Sequence, residues 1–203
     1  MLFCFGIDAC GPLNIVEDSN LIYEWLCRTG NPTGNYAAWS LWAAFAERFR
    51  FRMTLGVLTQ LLVEARSRVI ITSPFFQSGF GLSSGSIAEA TEAALNRGVN
   101  LDILSTRRSL ETVNRSLLTR RRAGGALRLL RPAANVEDDE KLGSHAKFCV
   151  ADGQNAYIGS ANLTGPGLSE HLELGLFLKG DLAKQIEQMW LYSIEIGLFL
   201  PAT

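Results

Sequence analysis

S-H-A-K-F-C-V-A-D-G-Q-N-A-Y-I-G-S-A-N, residues 144 to 162, is the stretch on which both the fold and the chemistry turn. It carries His145, one of two histidines in the chain, with Lys147 two residues on, Asp152 five further, and a Gly159-Ser160-Ala161-Asn162 turn. Ala146, Phe148 and Val150 alternate with His145, Lys147 and Cys149. A strand of period two sends the first set into a core and leaves the imidazole and the ammonium together on the other face. That pairing is what a phosphate site on a strand needs.

Upstream of this stretch, helix and strand patterns alternate. Val57 to Arg66 reads as a helix with Leu58, Leu61, Leu62 and Ala65 on one face, running into the continuous apolar strand Val69 to Thr72, which stops at Ser73-Pro74. Such strands are usually buried on both faces. A Gly- and Ser-rich loop, Gln77 to Ser86, leads to a helix Ile87 to Asn96 closed by Gly98, then to a strand Val99 to Leu104. Ser109 reads as the N-cap of a helix through Arg122, Gly124-Gly125 ends it, and Ala126 to Leu130 is a third strand. This alternation predicts an α/β domain with a mainly parallel sheet and right-handed crossovers. Downstream, the polar loop Pro132 to Gly143 reads as solvated, and strands follow at His145, Ala156 to Ile158 and Leu172 to Leu178, with a final helix Leu182 to Ile196.

The pattern before residue 54 is different, and residues 1–53 are set apart as an amino-terminal helical extension, leaving 54–203 as the catalytic domain. Asp18-Ser19-Asn20 can start a helix over Leu21 to Arg28, Gly30-Asn31-Pro32-Thr33-Gly34 breaks it, and Tyr36 to Phe51 is apolar almost all round. That last segment suits a buried helix or one set against a partner subunit, with a peripheral membrane contact as the alternative. Trp25, Trp39 and Trp42 suit a dimer or partner surface.

A chain of 203 residues is long enough to bury about 70% of its unfolded surface as one domain. Its net charge of −1 gives no overall attraction to polyanions, so any basic surface must be local. Cys4, Cys10, Cys27 and Cys149 form neither a C-x-x-C pair nor a zinc pattern, which suits reduced thiols in the cytoplasm. Met1 to Val16 has no basic n-region of a signal peptide, and no apolar run reaches the ~18 residues of a transmembrane helix.

Phosphodiester cleavage without a metal needs a nucleophile for phosphorus, a cation for the equatorial oxygens and an acid for the leaving oxygen. His145 can be the nucleophile, Lys147 the fixed positive charge, and Ser160 and Asn162 hydrogen-bond donors to the same oxygens. Gly159 lets the backbone come close. Glu173 can accept from the second imidazole nitrogen and fix the tautomer of His145. Asp152, just past the strand, is better suited to holding the turn by side-chain to backbone bonds.

Together, H-x-K-x4-D-x6-G-S-x-N followed eleven residues after Asn162 by Glu173 resembles the phospholipase D superfamily and its HKD motif. The resemblance is strongest from Ser144 to Lys179. It implies an α-β-α sandwich with a mixed, mainly parallel sheet, and no metal or other cofactor. It assigns nucleophile or acid to His145, the phosphate lysine to Lys147, the motif aspartate to Asp152, supporting polar roles to Ser160 and Asn162, and an orienting acid to Glu173. Members of that superfamily build one site from two motifs. Here His171, in E-H-L-E-L, has no lysine two residues later, so the resemblance implies a homodimer whose motifs meet across a two-fold axis.

Eight arginines lie between residues 107 and 131, at 107, 108, 115, 120, 121, 122, 128 and 131, against the single acid Glu111. They suit a solvated helix face or a phosphate-backbone contact, and arginine clusters also suit anionic lipid. Single-motif members that dimerise are mostly nucleases, so the resemblance favours nucleic acid over phospholipid. The phrase from Ile158 to Gly180 also looks like the phospholipase-D-like subunit of DISARM antiphage systems. That likeness implies helicase-like and methyltransferase partners, and it raises the alternative of an accessory subunit whose fold matters more than its catalysis.

Overall fold

The computed structural model describes residues 2–7, 52–120, 124–133, 144–171 and 173–202. The expected helices Leu21 to Arg28 and Tyr36 to Phe51, the three tryptophans among them, Arg121, Arg122 and nearly all of the polar loop before Ser144 lie outside the described residues. The strands are β1 (Leu2–Ile7), β2 (Arg68–Thr72), β3 (Asn100–Leu104), β4 (Leu127–Pro132), β5 (Phe148–Ala151), β6 (Asn155–Gly159), β7 (Glu173–Lys179) and β8 (Phe199–Pro201). Between them run α1 (Thr54–Glu64), α2 (Ser86–Asn96), α3 (Arg107–Arg120) and α4 (Asp181–Glu195).

Among the described residues one sheet joins all eight strands in the order β1-β7-β6-β5-β2-β3-β4-β8. The mixed α/β sandwich is as expected. Its pairings divide differently from a mainly parallel sheet: β2-β3, β3-β4 and β1-β7 are parallel, whereas β2-β5, β5-β6, β6-β7 and β4-β8 are antiparallel. Only the α2 and α3 crossovers force parallel neighbours; the tight turn after β5 can join only an antiparallel pair.

Helices cover both faces. Val57, Leu58, Leu61 and Leu62 of α1, with Ile87, Ala90, Ala94 and Leu95 of α2 and Leu110 and Val113 of α3, pack on Val69, Ile71, Leu101, Ile103, Cys149 and Phe177. On the opposite face Trp190 of α4, fully buried, gathers Ile70, Leu104, Leu130, Phe148, Val150 and Leu178. Its ring lies edge-on to Phe148 at 6.1 Å and stacks on Phe199 at 5.1 Å. Trp190 Nε1 donates to the buried carboxylate of Asp102 at 3.1 Å, which also accepts from Arg128 Nε at 2.6 Å and Nη2 at 2.5 Å. This hydrogen bond raises the already high pKa of Arg128 against the opposing effect of burial. Arg128 thus neutralises a core acid, a structural task within the arginine-rich segment.

Three local expectations change. Leu2–Ile7, assigned to the helical extension, is the edge strand beside β7. The last helix ends at Glu195, Gly197 turns at φ +75°, and Phe199–Pro201 becomes an edge strand on β4. α3 begins at Arg107, two residues before Ser109. The Ser109 hydroxyl instead accepts from Phe76 N at 3.2 Å and donates to Pro74 O at 3.3 Å.

Candidate active site

Strand direction brings the chemistry to one edge. The C-terminal ends of β2, β3 and β6 and the N-terminal ends of β5 and β7 all lie along it, because β5 and β7 run against β2 and β6. Ser73, Ser105, His145, Lys147, Ser160, Asn162 and Glu173 therefore share that edge. Beyond β2 the chain order departs in opposite directions, to β3 and β4 on one side and to β5, β6 and β7 on the other. Ligand sites in open α/β sheets form at such a division, outside the carboxyl ends of the parallel strands.

His145 is exposed and Lys147 only 8% exposed, so the imidazole stands in front of the ammonium. Lys147 Nζ lies 3.0 Å from His145 Nδ1 and 3.3 Å from Nε2, and donates to His145 O at 3.1 Å. An ammonium has no lone pair and can only donate, so a ring nitrogen that bonds to it must present its own lone pair. Burial lowers the pKa of Lys147, with the charge of Glu173 opposing. An anion seated here would relieve that desolvation. Thr72 fixes the backbone: its hydroxyl donates to Ala146 O at 3.1 Å and accepts from Phe148 N at 3.2 Å.

The alternation expected of the motif strand is corrected in one respect. β5 starts only at Phe148, Ala146 is exposed, and Cys149 lies in the core under α1, because helices cover both faces of the sheet. Burial drives the Cys149 thiol up to about 12, which leaves it inert.

Ser160 and Glu173 are joined to each other. The Ser160 hydroxyl donates to the Glu173 carboxylate and accepts from Leu174 N at 3.1 Å. The other carboxylate oxygen of Glu173 lies 4.0 Å from His171 Nδ1. Glu173 therefore meets Ser160 and His171 where the sequence expects it to meet His145, and it acts on the His–Lys pair through its charge on Lys147.

Asn162 Oδ1 lies 3.4 Å from Ser73 Oγ, which also donates to Phe75 O at 3.0 Å. Ser73 is a site residue that sequence reading missed. The signal available was its place immediately after a parallel strand.

Asp152 lies at the other end of β5 from His145 and away from the site. Its carboxylate accepts from the backbone of Arg66 at 2.8 Å, Ser67 at 2.8 Å and Arg68 at 2.9 Å, and from Ser67 Oγ at 2.7 Å. Burial pushes its pKa up, but these hydrogen bonds outweigh it and hold the carboxyl below its usual range. The aspartate that the resemblance groups with the catalytic residues thus ties the β5–β6 turn to the start of β2.

Gly159 also serves packing. A β-carbon there, or at its cross-strand partner Gly175, would collide with the Tyr157 ring and hydroxyl. The two glycines make room for a buried tyrosine, where the sequence suggested access for substrate. Among the described residues, no group of three or more His, Cys, Asp or Glu is placed to hold a metal, and no helix is long and apolar enough to cross a membrane.

The chain is thus a three-layer α/β domain with a histidine–lysine pair at the dividing edge of its sheet, a cation placed where an anionic group can sit. Residues 58–191 match the family model described as "Cardiolipin synthase, PLD-like domain", and the chain belongs to this family of phospholipase-D-like domains. No curated protein is similar enough to match the chain. Among solved structures, Nuc from Salmonella typhimurium, described as a phospholipase D family member, is 18% identical with a TM-score of 0.51, over 72% of this chain and 89% of that one. NucT from Helicobacter pylori is 19% identical with a TM-score of 0.52, over 77% and 93%. Both likenesses concern the fold.

Proposed function

We propose that this protein is a phosphodiesterase acting on nucleic acid through a phosphohistidine at His145, with its active centre completed by a second copy of the chain. The observation that carries the reading is the partly desolvated Lys147 ammonium held 3.0 Å from an exposed imidazole. The ring nitrogen attacks phosphorus, the bond to the leaving oxygen breaks, and the protonated imidazole of the partner's His145 supplies that oxygen with its proton. Water then attacks the phosphohistidine and gives a proton to the partner's His145, and the P–N bond breaks to restore His145. Lys147 offsets the charge that builds on the phosphoryl oxygens.

Dimerisation is supported by the single motif and by apolar surface beside it. Ile158 and Leu176, cross-strand partners on β6 and β7, are 38% and 39% exposed, and Leu174 is 54% exposed. Work beside helicase-like and methyltransferase components in phage defence is supported by the likeness of residues 158–180 alone.

Labelled DNA and RNA, incubated with the purified protein in EDTA, test the reaction. Cleavage that persists with EDTA and disappears in His145→Ala is expected. Cleavage abolished by the chelator, or retained by the variant, would rule out the metal-free phosphohistidine route.

A further inference from the structure

At the same sheet edge as the His–Lys pair, the loop after β2 exposes two phenylalanines, Phe75 at 41% and Phe80 at 45%. Large apolar side chains on water are ordinary when scattered, but these two sit on a loop that is firmly tied down. Pro74 O accepts from Ser105 Oγ at 3.2 Å, Thr106 Oγ1 at 3.1 Å and Ser109 Oγ at 3.3 Å. Phe76 forms a β-bridge with Leu163, and Gln77 Oε1 accepts from Gly165 N at 2.9 Å. The loop is thereby fastened both to the start of α3 and to the segment that follows Asn162. Phe80 lies against Gly165, where an added β-carbon would come within 3.0 to 3.1 Å of three ring atoms.

We propose that Phe75 and Phe80 are a stacking platform for unpaired bases, which makes single-stranded nucleic acid the substrate of this centre. The inference rests on the reading of the site as a nucleic-acid phosphodiesterase. Phe75 and Phe80 are each partly covered by their own chain and partly open to solvent, so each offers apolar surface on which a planar base can lie. Bases present such faces only when a strand is unpaired, and aromatic stacking tolerates any sequence. Positive charge lies along the same edge. α3 starts there with Arg107, its side chain 88% exposed and 4.0 Å from Glu111, and with Arg108, and β4 ends there at Arg131. These cations can follow the phosphates while the rings hold the bases.

The test measures binding of a twelve-nucleotide single strand and of its duplex by anisotropy, in the His145→Ala background so that neither is cut. Phe75→Ala and Phe80→Ala should each weaken single-strand binding by about tenfold and leave duplex binding nearly unchanged. Phe75→Tyr and Phe80→Tyr, which keep the rings, should restore it. Equal losses on the two forms, or no loss on the single strand, would overturn the platform. So would alanine variants that keep oligonucleotide binding but lose binding to phosphatidylglycerol vesicles. Hydrolysis of bis(p-nitrophenyl) phosphate by the unaltered protein, compared with His145→Ala, separates the two readings. That assay fails if the chemistry is wrong and is indifferent to what the rings bind.

Discussion

Lys147 sits where two demands conflict: an ammonium that can attract phosphate must stay charged, yet burial makes the charge costly. The lowered pKa records that conflict. A lysine in water loses its proton near pH 10.4, and this one loses it at lower pH, so anion binding weakens as pH rises through the lowered value and strengthens as pH falls below it. Titration of inorganic phosphate binding against pH should show this alkaline loss, and Lys147→Arg, which stays charged, should remove it. Lys147→Met should reduce kcat by about a hundredfold or more. The histidine–lysine pair was legible because a spacing of two fixes a shared side wherever the chain is extended. Ser73 was not, since its contact with Asn162 spans 89 residues of sequence and exists only once β2 and β5 are neighbours. Glu173 was legible as a nearby acid, but its partner was not: β7 pairs with β6 and hands the carboxylate to Ser160.

Among the elements, the β5–β6 hairpin owes its position to Asp152, at the end of β5 away from the His–Lys pair, and to the space two glycines leave for Tyr157. Asp152 has a depressed pKa in the folded state, so its stabilisation is present above the ordinary carboxylate range near pH 3.9 and is lost as pH falls through the lower folded value. Asp152→Ala should therefore cost about 1–3 kcal/mol in urea unfolding at pH 7, a difference that shrinks toward zero in strong acid. Gly175→Ala should destabilise the protein by about 1–3 kcal/mol or more, because the Tyr157 ring fills the space a methyl group would need. Continuous apolar runs such as Val69 to Thr72 identified buried strands from sequence. The direction of the later strands was hidden, because runs of apolar residues do not say which neighbour they will meet. β8 escaped because three residues after Gly197 carry no period, and they become a strand only through β4.

For the whole molecule, the sheet edge gathers one histidine–lysine pair, with His171 set against Glu173 instead of a lysine, where phosphodiester cleavage through a phosphohistidine needs a nucleophile and a separate acid. The proposed two-fold dimer would bring a second His145 with the same geometry, and each centre would then need both copies. Mixing the unaltered chain with His145→Ala chains under conditions that exchange subunits tests this most directly. The quantity to read is phosphodiester cleavage as a function of the fraction of unaltered chain. Activity falling as the square of that fraction is the expected result; a linear fall, or full activity in a species that light scattering identifies as a monomer, would contradict it.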